Sequence, residues 1–152
     1  MRRFGKVFLV FILSVLIATL AASLFSTQFV IAALESSGAK VGWGDRLDMT
    51  LYDLGHLGLV YGIFIAVGLL VSFLAAALVH RFANTKRSLI YVVAGMTSFL
   101  VMLYLMQAVF FGVPIIAGAR SILGLAFQAL AGGIAGYVFA KLTGGARKKT
   151  LN

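Results

Sequence analysis

The chain contains no cysteine. That absence excludes a structural disulfide, a thiolate metal site and a thiol nucleophile, and leaves the redox compartment undetermined. Acidic residues are almost as scarce, with four against thirteen lysines and arginines. They are Glu35, Asp45, Asp48 and Asp53, and they supply no carboxylate pair within an apolar run. The signatures HExxH, GxxxxGK and GxSxG are also missing, so the common zinc-hydrolase, phosphate-binding and serine-hydrolase chemistries have no motif to rest on. The two histidines, His56 and His80, fall at opposite ends of one helical pattern, so a single chain offers no paired axial ligands for a membrane haem. Nothing places Ser26 or Ser121 beside His56. No cofactor and no metal follow from these residues.

What the chain does have is hydrocarbon. Apolar residues make up 62% of 152 residues, charged residues 11%, and the mean hydropathy is +1.07. One small water-soluble core cannot bury that share, because a domain of this size still exposes much of its surface. The class is therefore an all-α integral membrane protein. The net charge of +9 sits in short flanks beside apolar runs, which fits membrane orientation and not nucleic-acid binding.

Four runs are long enough to span: about 7–34, 54–79, 89–111 and 115–140. The first follows Arg2, Arg3 and Lys6 and is roughly 40 Å long as a helix, more than a hydrocarbon core of about 30 Å. Its charged start and small residues near Ala21 resemble a signal peptide, but we read it as an uncleaved first span. Residues 35–48 form a polar connection with Trp43 as an interfacial anchor. Thr50 and Asp53 have the form of a capping box opening the second span. Gly58 and Gly62, extended by Ala66, give that span a small-xxx-small face. Met96, Met102 and Met106 in the third span read as gap-filling packing. Pro114 suits the first turn of the fourth helix, and residues 142–152 form a mobile basic tail.

The stretch 113–141 organises the rest. At about 100° per residue, Leu123, Phe127, Leu130, Ile134 and Tyr137 fall on one narrow ridge, and small residues including Gly124, Gly132 and Gly136 cover most of the remaining circumference. Each glycine would cost about 1 kcal/mol against alanine in a helix in water. In lipid it permits close backbone approach, the main route to helix association there. The pattern predicts the inner helix of a bundle.

Orientation follows from counting. With the N-terminus cytoplasmic, ten basic residues fall on the inner side, and only Lys40, Arg46 and Arg120 on the outer side with all four acidic residues. That is a positive-inside pattern. It predicts four antiparallel transmembrane helices with both termini cytoplasmic, in a membrane such as a bacterial inner membrane. The same topology gathers polar residues in the outer half, where Asp53, His56, Tyr104, Gln107, Arg120 and Gln128 are candidates to line a cavity, with Gln28 and Tyr61 at the same level. Ionisable groups at membrane depth usually face the bundle interior and find partners. Asp53 and Arg120 are expected to approach each other.

Two functional readings follow. One is a non-catalytic accessory subunit, or a homo-oligomer, that packs against membrane lipids and other membrane chains through its small-residue faces. The alternative is a small transporter or channel with an outward-facing polar vestibule.

Overall fold

In a membrane a backbone must satisfy its own hydrogen bonds, which leaves uninterrupted apolar runs the helix as their solution. The computed structural model describes residues 2–83, 85–109 and 120–144. Among them are four helices and no strand: α1 (Arg2–Ser36), α2 (Trp43–Phe82), α3 (Arg87–Val109) and α4 (Ile122–Gly144). Each carries a stretch long and apolar enough to cross a membrane: Phe4–Ser36, Val60–Phe82, Arg87–Val109 and Ile122–Gly144. Pro114 and the tail beyond Gly144 lie outside the described residues, although α4 continues through Leu142 and Thr143, which the sequence reading gave to the tail.

The first connection is much shorter than the polar composition of residues 35–48 suggests. α1 ends in a Schellman motif: Gly38 takes the positive-φ position (φ 91), its N–H donates to Glu35 O at 3.0 Å, and the Ala39 N–H donates to Leu34 O at 3.1 Å. The chain then enters α2 at Trp43, with Gly42 in an extended conformation and its N–H donating to Asp45 Oδ2 at 3.1 Å. Thr50 is therefore not a cap. Its hydroxyl donates to Arg46 O at 2.7 Å from inside the helix. The reason is local: the Asp45 carboxylate satisfies an N-terminal donor and complements the positive helix end, so the helix starts about two turns earlier. At 40 residues α2 is roughly 60 Å long, and only its second part is apolar enough to span. The first part, residues 43–59, lies beside the end of α1, where Arg46 forms an ion pair with Glu35.

The helices close a ring in which α1 packs on α2 and α4, and α3 packs on α2 and α4. α4 is the inner helix. Half of its apolar window is buried, against 22% for α2. Apart from Gln128 and Phe139, its buried side is made of small residues, including Ala131, Gly132, Ala135, Gly136 and Ala140, while all five bulky ridge residues are exposed. α3 meets this small side with Gly95. A methyl group at Gly95 would overlap the Gly132 carbonyl, one at Gly132 would overlap the Gly95 carbonyl, and one at Gly136 would overlap the Tyr91 carbonyl. The α3/α4 seam is thus backbone against backbone. At one end of the bundle each helix contributes one ring to a cluster: Phe11, Phe73, Tyr91 and Phe139, with Phe73 and Phe139 stacked at 4.6 Å and Phe11 edge-on to both. Rings in these offset and edge geometries add about 0.5–1.5 kcal/mol per pair beyond area burial.

Candidate functional site

A long polar side chain in a helix interior needs partners from other helices, and Gln128 has them. It is fully buried. Its Nε2 donates to the Ala22 carbonyl of α1 at 3.0 Å, and its Oε1 accepts from the Tyr61 hydroxyl of α2 at 3.1 Å. One amide therefore joins α1, α2 and α4. The small residues around it explain the placement, since Ala22 and Ala18 of α1 and Ala131 of α4 are also fully buried and let the backbones approach.

The other buried polar side chains among the described residues are hydroxyls of α1: Ser14, Ser23 and Thr27. Ser14 donates to Val10 O at 2.8 Å, the turn before it in its own helix. Thr27 does more. Its single hydroxyl hydrogen lies between Ser23 O at 3.0 Å and Asp53 Oδ2 at 2.9 Å, so Asp53 of α2 is tied to α1.

The remaining candidates do not join this link. His56 is exposed, stacked on Tyr52 at 4.2 Å, with Nδ1 3.3 Å from Tyr52 O. Tyr104 is 72% exposed, and Gln107 is exposed in the last turns of α3. Arg120 is exposed just before α4. Among the described residues the ion pair formed is Arg46–Glu35, and Asp53 and Arg120 form none. The structure therefore brings Gln128 together with Tyr61, and Asp53 with Thr27, and leaves His56, Tyr104, Gln107 and Arg120 at the surface.

The packing glycines divide in the same way. Gly132 and Gly136 touch α3 backbone, and Gly124 donates its N–H to Ser121 Oγ at 2.9 Å, with Ser121 capping α4. Gly58 and Gly62 face Thr19 of α1 with room to spare. A methyl group there would meet that side chain no closer than 3.4 Å. The sequence singled out neither Gly95 nor Thr27, and it did not pair Tyr61. Gly95 is the single glycine in an otherwise bulky α3, and that isolation was the available signal. Tyr61 was placed at the right level, but nothing in the sequence pairs it with Gln128.

A separate cavity opens between α2 and α3. This groove encloses about 930 Å³, and its walls include Val67, Val71 and Ala75 of α2 and Val93, Thr97 and Val101 of α3. None of the six polar candidates lines it. Chemically the Gln128 link offers hydrogen bonds already taken up by the protein, and the groove offers apolar surface. Compared with known protein families, with curated proteins and with solved structures, the chain matches none.

Proposed function

We propose that this chain is a small non-catalytic subunit of the membrane, crossing it four times as an antiparallel bundle with both termini cytoplasmic, and assembling with further copies or with other membrane chains. The observation that carries the reading is the Gln128 link. The one strongly polar side chain buried among the described residues holds Ala22 and Tyr61 and so secures helices, with no water-facing role. The antiparallel arrangement draws support from the seam contacts, where Gly95 meets Gly132 and Tyr91 meets Gly136, one index falling as the other rises. The orientation rests on ten basic residues against three, as does placement in a bacterial inner membrane. The transporter alternative has less support, because Tyr104 and His56 are exposed and neither they nor the other four polar candidates line the α2/α3 groove.

The test is mass. Extracted directly from its membrane into native nanodiscs, the protein should run as an assembly heavier than one chain of 16.2 kDa, with a fixed ratio of components. A single chain per disc at native expression, together with solute flux in reconstituted vesicles, would replace this reading by the transport one.

A further inference from the structure

An apolar groove facing lipid is ordinary until its ends are considered. One end of the α2/α3 groove is formed by Val79, Thr85 and Leu89, so it is bounded by the short connection between the two helices. That connection and the helix turns flanking it carry three cations: Arg81 in the last turn of α2, Lys86 in the connection and Arg87 at the start of α3. Arg87 is engaged: its Nη2 donates to Thr143 Oγ1 of α4 at 2.6 Å, and its guanidinium lies 5.1 Å over the Tyr91 ring. Arg81 and Lys86 are exposed, without a side-chain partner among the described residues. The groove runs along α2 from Phe64 to Val79, a rise of roughly 22 Å, which exceeds the half-thickness of a hydrocarbon core of about 30 Å. It is thus long enough for the acyl chains of one leaflet.

We propose that the α2/α3 groove binds an anionic phospholipid, its acyl chains between Val67, Val71, Val93 and Val101 and its phosphate at Arg81 and Lys86. Charge selects this occupant over a second copy. Two copies inserted the same way would bring their basic connections to the same membrane level, so symmetric docking through this groove would set Arg81 and Lys86 of one copy beside those of the other. Anionic headgroups reverse that sign, and basic sites between helices on the cytoplasmic side attract them. The hydroxyls of Ser72, Thr97 and Ser98 also line the groove, and the Ser72 hydroxyl donates to Leu69 O at 3.2 Å. The proposal rests on the cytoplasmic placement of this connection, which cysteine labelling assigns separately, and it does not require a protein partner.

The experiment uses the full chain in phosphatidylcholine vesicles doped with phosphatidylglycerol that carries a diazirine on its acyl chain, against the same label on phosphatidylcholine. Photolysis and peptide mapping should place the label on groove residues of α2 and α3 in preference to the outward ridge of α4. Labelling from phosphatidylglycerol should exceed that from phosphatidylcholine by on the order of tenfold. Arg81→Gln with Lys86→Gln should abolish the headgroup preference, while the circular dichroism and melting temperature in pure phosphatidylcholine stay as in the parent. Should that double variant fail to insert, Ala75→Phe, which fills the groove from its exposed side and leaves the charges alone, should lower groove labelling from both lipids. Uniform labelling of all lipid-facing helices, equal labelling by the two headgroups, or cross-linking of the groove to a polypeptide would each overturn the proposal.

Discussion

Gly136 and Gly62 are both glycines in spanning helices, and they differ in what a single methyl group would meet. At Gly136 it meets the Tyr91 carbonyl, which belongs to the backbone of α3 and cannot turn aside; at Gly62 it meets the Thr19 side chain at 3.4 Å, an ordinary contact. We therefore expect Gly132→Ala and Gly136→Ala to lower stability in detergent by about 1–3 kcal/mol through overpacking. Gly58→Ala and Gly62→Ala should stay within about 0.5 kcal/mol or gain slightly from better helix propensity. Thermal unfolding of the four variants checks this, and equal damage at all four would mean that the seams are not ranked as described. The polar link is tested at the same scale. Gln128→Leu and Tyr61→Phe should couple by about 0.5–1.5 kcal/mol in a double-mutant cycle, in the range of interhelical hydrogen bonds in membranes. Additivity of the two would mean that each residue packs independently. The small face of α4 was legible in the sequence because glycine and alanine recur on it at helical spacing. The partner of Gln128 was not, because any hydroxyl or carbonyl at that depth could have served it, and only the packing of α2 selects Tyr61.

At the scale of elements, the apolar runs foretold how many helices are long and apolar enough to cross a membrane and roughly where they lie, while their polar ends escaped composition. Residues 43–48 look like the end of a loop because they hold Asp45, Arg46 and Asp48 within six positions. They are helical because Asp45 reaches back to the Gly42 N–H and because α1 extends alongside to receive Asp53 on Thr27. The turn between the two helices depends on Gly38. A side chain there would meet nothing within 4 Å, so the penalty for replacing it is backbone conformation alone. Gly38→Val should cost about 1–2 kcal/mol. By contrast, Glu35→Gln removes the exposed pair with Arg46, and exposed pairs contribute about 0–1 kcal/mol. Its melting temperature should shift less than that of Gly38→Val, and the shift should shrink further in high salt. If the order were reversed, the ion pair and not the Schellman turn would be holding α1 to α2.

For the whole molecule, the decisive quantity is which side of the membrane each connection occupies. The sequence asymmetry puts the α1/α2 connection outside and the α2/α3 connection inside, and both the subunit reading and the lipid site depend on that assignment. Each connection holds an exposed residue suited to a reporter: Gly38 in the first and Thr85 in the second. The parent chain has no cysteine, so a single introduced thiol is the only target for a membrane-impermeant maleimide. Thr85→Cys replaces an exposed residue that already carries a side chain; Gly38→Cys carries the strain described above, and Lys40→Cys, two residues on and also exposed, replaces it if insertion suffers. In intact cells Lys40→Cys should label and Thr85→Cys should not, whereas after permeabilisation both should label to the same extent. Labelling of Thr85→Cys alone in intact cells would invert the protein, moving Arg81 and Lys86 to the outer surface and away from the anionic lipids of the cytoplasmic leaflet. The positive-inside count would then have been overridden by a feature outside these helices, and the phospholipid site would lose its electrostatic basis even if its apolar groove were still filled.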